Sequence, residues 1–221
     1  MSGIPFLGTN QAMLTNDRVD LLNKIPNDKN IKAILFDLVG VLVFKKEDYI
    51  PVTPNEINAQ NIESLFNHLD DKKLIKDVKE KLKLSDDEIQ TAVRLIPEKY
   101  EKFDELWKLL PELKKKYKLV VINNGNAITK PYWNEKFDFS IFDLFLNSAE
   151  ERIKKPDPKI FLLACAKLKV KPEECLFMDD SLENIRSAQK LKMTTIWWNK
   201  EADKTALIQK LKETVNISPE K

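Results

Sequence analysis

Ile31-Lys32-Ala33-Ile34-Leu35-Phe36-Asp37-Leu38-Val39-Gly40-Val41-Leu42 is an apolar run that closes on a carboxylate and a glycine turn. Such a run reads as a buried parallel strand that presents Asp37 at its C-terminal edge, where open α/β sheets bind their ligands. An Asp in that place also suits an ordinary turn, so the rest of the chain has to decide. The pattern recurs. Leu119-Val120-Val121-Ile122 stops at Asn123-Asn124-Gly125-Asn126, Phe142 to Leu146 stops at Ser148, and Cys175-Leu176-Phe177-Met178 stops at Asp179-Asp180. Met193 to Trp198 supplies a fifth apolar segment.

Helix-patterned segments separate these strands: one ends near Lys116, and others run from about Asp157 to Leu168, Leu182 to Lys190 and Ala202 to Lys212. Strands alternating with helices imply parallel crossovers, and the expected fold is an α/β three-layer sandwich around a parallel five-stranded Rossmann-like sheet. From Val43 to about Leu110 the periodicity is almost wholly helical, as in Ile57, Ile62, Leu65, Phe66 and Leu69. Ser85 followed by Glu88 reads as an N-cap and its capping box. The expected organisation is an N-terminal extension over 1–30, a core over 31–43 and 111–221, and a helical insertion over 44–110. Within the extension, Asn16 to Lys24 is a short helical candidate.

Basic and acidic residues number 37 and 35 and are interleaved, for a net charge of +2. That balance argues against a surface that tracks nucleic-acid phosphates. Lys114-Lys115-Lys116 reads as the solvated end of a helix. No segment approaches the ~18 uninterrupted apolar residues of a membrane span, and the first residues lack the pattern of a signal peptide. Cys165 and Cys175 read as buried thiols rather than a disulfide, which suits a reducing, cytoplasmic setting.

Four strand ends therefore deliver Asp37, Asn123 with Asn124, Lys155 and Asp179-Asp180 to one edge of the sheet. Acidic groups from two strands suit a hard divalent cation such as Mg²⁺, which prefers oxygen ligands. A lysine and an amide supply donors for a tetrahedral anion, so a carboxylate nucleophile faces an oxyanion cradle.

These segments, together with Ser148-Ala149-Glu150-Glu151-Arg152-Ile153-Lys154-Lys155-Pro156-Asp157-Pro158-Lys159-Ile160-Phe161 and Leu176 to Ala188, resemble the four motifs of the haloacid dehalogenase superfamily, in its order. The insertion looks like that superfamily's helical cap. The resemblance implies that Asp37 is a nucleophile that forms an aspartyl ester or phospho-aspartate and also touches the metal. It makes Asp180 the main metal ligand and Asp179 a second candidate. Lys155 would pair with the nucleophile and the transferring phosphoryl group, Asn123 and Asn124 would bind phosphate, and Asn184 would orient the lysine or the metal ligands.

Three positions depart from the family pattern. Its phosphatases usually carry Asp two residues after the nucleophile as general acid and base, where this chain has Val39. The Val39 carbonyl can still supply a metal ligand, but its side chain moves no proton, a loss of about 10²–10⁴ in rate if nothing replaces it. A cap residue or Asp179 is the alternative base. Asn123 stands where Ser or Thr is usual, and Arg152 where Gly is common. Sugar-phosphate phosphatases with a D-L-G-N or D-L-G-G turn also lack the second Asp, and the chain looks similar to them.

The expected activity is thus that of a Mg²⁺-dependent phosphatase acting on a small phosphorylated metabolite, as a monomer or homodimer. The rivals are a catalytically impaired binding protein, suggested by Val39, and a 2-haloacid dehalogenase, which the paired acids disfavour. The lone His68 reads as a surface or packed residue, Lys154 as an exposed loop lysine, and Trp107, Phe103, Leu106 and Leu110 as core.

Overall fold

The computed structural model describes residues 30–66, 69–199 and 201–217. The extension expected over 1–30, apart from Asn30, lies outside the described residues, as do its Asn16–Lys24 helix and His68. Strand β1 (Ala33–Phe36) passes through the glycine turn into a short β2 (Val43–Lys45). Helices α1 (Pro54–Glu63), α2 (Asp71–Leu82) and α3 (Asp86–Leu95) follow, and then β3 (Tyr100–Lys102). Helix α4 (Asp104–Lys114) leads to β4 (Lys118–Asn123), α5 (Lys130–Phe137) and β5 (Leu144–Asn147). The chain continues through α6 (Ser148–Glu151), α7 (Pro158–Leu168), β6 (Cys175–Asp179), α8 (Leu182–Lys190), β7 (Thr194–Trp197) and α9 (Lys204–Thr214).

Five strands form the expected parallel sheet, in the order β5-β4-β1-β6-β7. β1 is central. Ala33 is in register with Lys118 on one side and Cys175 on the other, and all four of its residues are buried. A strand covered on both faces needs apolar side chains on both, which is why Ala33 to Phe36 reads as an unbroken apolar run. Ile34 and Phe36 face a layer that includes Leu106, Leu110 and Leu113 of α4 and Leu207 and Leu211 of α9. Ala33 and Leu35 face Ile160, Phe161 and Ala164 of α7 and Ile185 and Ala188 of α8. Both cysteines are free and buried.

The insertion corrects the sequence reading. β2 and β3 pair antiparallel, Phe44 opposite Glu101, within the stretch whose pattern is almost wholly helical. Three-residue strands are too short to impose a period of two on a sequence, so the helical spacing around them masks them. The boundary expected between 110 and 111 falls inside α4, whose Leu106, Leu110 and Leu113 form one buried stripe. Phe142 and Asp143 precede β5 rather than belong to it. The Asp143 carboxylate turns back to accept the Leu119 N–H at 2.8 Å and to pair with Lys114 at 2.7 Å.

Local chemistry sets the helix starts. Ser85 and Glu88 form the expected capping box, and Thr53 with Glu56 forms a second one ahead of α1. Arg152 ends α6 with φ 55°, in the left-handed region that glycine adopts without a Cβ penalty. This accounts for the glycine common at that place in the resembled family. Arg152→Gly is expected to raise stability by about 0.5–1 kcal/mol, the strain relieved outweighing the freedom added to the unfolded chain. An unchanged or lower urea midpoint would contradict this.

Candidate active site

The C-terminal ends of β1, β4 and β6 meet at one sheet edge, and the loop after β5 folds across it. Asp37 extends β1 by one residue, its N–H donating to the Met178 carbonyl at 2.9 Å. Its Oδ1 accepts from Lys155 Nζ at 2.6 Å and from the Leu38 N–H at 2.7 Å. Oδ2 has no donor among the described residues. One oxygen of Asp37 is thus pinned while the other stays available for chemistry.

Lys155 is buried and spans two carboxylates, its Nζ also lying 2.8 Å from Asp179 Oδ2. Asp179 is saturated: Oδ1 accepts from the Ser181 N–H at 2.8 Å, and Asn184 Nδ2 reaches Oδ1 and Oδ2 at 2.9 and 3.1 Å. With both oxygens engaged it holds the lysine, and it is not left as a free base. Asn184 therefore acts on Asp179 and through it on Lys155. Asp180 is the outward member of the pair. A Cβ on Gly40 would lie 2.6 Å from Asp180 Oδ2, and Gly40 itself has φ 93°. Glycine is required there twice over, for the turn and for the approach of that carboxylate.

The two asparagines after β4 part company. Asn123 lays its amide against Gly125, Nδ2 falling 2.4 Å from where a Cβ would stand. Asn124, expected to bind phosphate, turns its side chain to the backbone of Lys155, accepting its N–H and donating to its carbonyl at 2.9 Å each. The N–H groups of Asn124 and Val39 have no acceptor among the described residues, so backbone donors remain for an anion. Ser148 closes the loop by exchanging hydrogen bonds with Gly125 at 3.1 and 3.0 Å. Ser148 and Asn147, which donates to the Asn126 carbonyl at 3.0 Å, escaped the sequence reading because polar residues after a strand look like turn formers. Val39 is 38% exposed at the mouth of the site.

Oxygens of Asp37, Asp179 and Asp180 lie within 4.8 Å of one another. Three carboxylates against one ammonium leave an excess of negative charge. Burial, with Asp179 and Asp180 nearby, outweighs Lys155 and pushes Asp37 up to about 7. Burial opposes the charge on Lys155, yet Asp37 and Asp179 together hold its pKa above the ordinary lysine value. A hard-oxygen donor set with surplus negative charge fits a divalent cation of the magnesium type.

Helices α2 and α3 and the turn that follows them contact the chain after β4. Asp71 of α2 accepts the Ala127 N–H at 3.0 Å, Gln90 of α3 donates to the Tyr132 hydroxyl, and Lys136 reaches the Pro97 carbonyl at 2.9 Å.

Residues 31–192 match the family model described as haloacid dehalogenase-like hydrolase, and the chain belongs to that family. Over 98 residues, 42% of this chain, it is 34% identical to N-acylneuraminate-9-phosphatase of Homo sapiens, and the match takes in 38% of that protein. It is 36% identical over 96 residues, 41% of the chain, to glyceraldehyde 3-phosphate phosphatase of Pyrococcus furiosus, taking in 39% of it. The chain thus spans about two fifths of the length of the curated relatives it matches. A solved family enzyme from Bacteroides thetaiotaomicron, in complex with magnesium and inorganic phosphate, shares the fold with TM-score 0.63. Identity is 24%, and the match covers 80% of this chain and 98% of that one. A dehalogenase solved with an intermediate has the same fold at TM-score 0.56 and 18% identity, covering 80% and 88%.

The elevated pKa of Asp37 has a checkable sign. The folded state keeps Asp37 protonated in a window where the unfolded chain, titrating at 3.8, does not. Its contribution to stability is full below pH 3.8 and is lost as pH rises to about 7. With divalent ions chelated, the stability of wild type relative to Asp37→Asn is expected to fall across that window. A difference in urea midpoint that does not vary with pH would refute the shift.

Proposed function

We propose that the protein is a Mg²⁺-dependent phosphoric monoester hydrolase acting on a small phosphorylated metabolite, with the helices between β2 and β3 as its cap. The observation that carries this reading is the Asp37 carboxylate, with Oδ1 fixed by Lys155 and Leu38 and Oδ2 unencumbered. Phosphatase names among the relatives support it. Oδ2 attacks phosphorus in line, the P–O bond to the leaving group breaks, and an aspartyl-phosphate forms on Asp37. Water then attacks that phosphorus and releases inorganic phosphate, restoring the carboxylate.

Lys155 orients Asp37 and neutralises charge on the phosphoryl oxygens, while Asn123 and the N–H groups of Val39 and Asn124 hold those oxygens. Asp37, Asp180 and the Val39 carbonyl would hold Mg²⁺, with Asp179 beside them. The ion would supply charge stabilisation to the phosphoryl group. The residue at 39 does not protonate the leaving group, so esters whose alcohol departs readily should react fastest.

Phosphate release from a panel of phosphorylated metabolites, with and without Mg²⁺, is the direct test. Turnover is expected to require the metal and to disappear in Asp37→Asn together with acid-stable labelling of the protein by phosphate. Turnover that survives in the variant would remove Asp37 from the mechanism.

A second reading, a family member that binds phosphorylated ligands without turning them over, draws on one observation, the apolar Val39 side chain at the mouth of the site. Val39→Asp separates the two. In a site otherwise built for hydrolysis it should raise the rate by about 10²-fold or more. A variant that folds, binds Mg²⁺ and stays inert would favour the binding role.

A further inference from the structure

The chain's two cysteines meet in the layer that Ala33 and Leu35 face. Cys165 lies on α7 and Cys175 opens β6, and their sulfurs are 3.7 Å apart. Both are free and buried, in one apolar cluster with Ile160, Phe161 and Ala188. A cysteine fills space in a core as a small apolar side chain, and packing alone does not require two of them to touch. Sulfurs in contact come from side chains already directed at each other. Covalent S–S bonds are ~2.0 Å long, so the 3.7 Å gap closes by a displacement of about 1.7 Å shared between two side chains.

The two thiols are not equivalent. Their mutual hydrogen bond, and then burial, push the Cys175 thiol well above the ordinary range. Cys165 is held below it, because the bond from Cys175 favours the Cys165 thiolate more than burial disfavours it. The Cys175 S–H has a second acceptor in the Lys171 carbonyl at 3.4 Å. Access differs in the same sense. Cys165 is 4% exposed and is followed by the exposed Ala166 and Lys167, whereas Cys175 is wholly covered. The outer sulfur thus carries the thiolate and the inner one the proton, the division between an attacking and a resolving thiol.

We propose that Cys165 and Cys175 are a two-electron oxidation site, prepositioned to close into a disulfide that staples α7 to β6 when the chain meets hydrogen peroxide. The Cys165 thiolate attacks one peroxide oxygen and the O–O bond breaks. Cys165 becomes a sulfenic acid, and the departing hydroxide takes up a proton to give water. The Cys175 sulfur then attacks the Cys165 sulfur; the S–O bond breaks, the S–S bond forms, and the second hydroxide leaves as water with the Cys175 proton. The two sulfurs together lose two electrons, and the peroxide is reduced to two waters. Helix α7 begins just after the Lys155 loop and β6 ends on Asp179, so the staple joins the two elements that flank the Lys155–Asp179 pair.

Peroxide titration of the folded chain, read by intact mass and tryptic mapping, tests this. Wild type should lose two hydrogen masses and both titratable thiols, and dithiothreitol should restore them. Trypsin cuts after Lys167 and Lys169, between the two cysteines, so the cross-link should appear as a pair of joined peptides. The same exposure of Cys175→Ser should instead add oxygen to Cys165. The oxidised wild type should also unfold at a higher urea concentration than the reduced one, because the bond restricts the unfolded chain. Wild type that stays unreacted, or that gains oxygen on either cysteine without the cross-link, overturns the pair. A urea midpoint that fails to rise on oxidation shows a bond that distorts α7 and β6, and overturns the prepositioning. These readings are made on wild type, so they hold even if Cys175→Ser does not fold.

Discussion

The ammonium of Lys155 is the group on which the sheet edge is organised. Stripping a lysine of water costs several kcal/mol unless the protein returns the lost interactions, and here two carboxylates return them. Asp37 arrives from β1 and Asp179 from β6, 2.6 and 2.8 Å from the same nitrogen. The lysine lies on a loop, so its position has to be imposed from outside. Asn124 does so by bracketing the Lys155 backbone, and Ser187 of α8 holds the neighbouring Pro156 carbonyl at 2.6 Å. Elements far apart in sequence thereby converge on one side chain, whose burial forces them into a common geometry.

That arrangement leaves charge uncompensated, and the imbalance gives the site its character. One ammonium cannot neutralise three acids, and Asp180 is brought close only because Gly40 has no side chain in its path. The resulting concentration of oxygen donors is electrostatically unfavourable, and a cation held there would relieve it. The folded chain thus holds electrostatic strain at the sheet edge, and obtains its stability from the apolar layers on either side of β1.

Much of this was legible in the sequence because strand ends and charges are written locally. Ala33 to Asp37 and Cys175 to Asp180 carry both an unbroken apolar run and the acids that terminate it. Ser85 and Glu88 specify a helix start within four residues. What escaped has a different physical origin. β2 and β3 exist by pairing across more than fifty residues, and three residues carry no periodicity of their own. Asn124 and Asn126 sit in one tetrad of polar residues, yet one spends its amide on a distant loop and the other leaves half of it unspent. Composition gives the donors and acceptors; only packing decides which of them are consumed.

The pairing of β2 with β3 also constrains how the inserted helices can move. The chain leaves the core through one of these strands and returns through the other, and their hydrogen bonds weld exit and return into a single ribbon. A ribbon of two bonded strands flexes across its thickness but resists sliding one strand along the other. Helices α1 to α3 lie between the two strands, so both ends of the helical segment are anchored on one hydrogen-bonded ribbon.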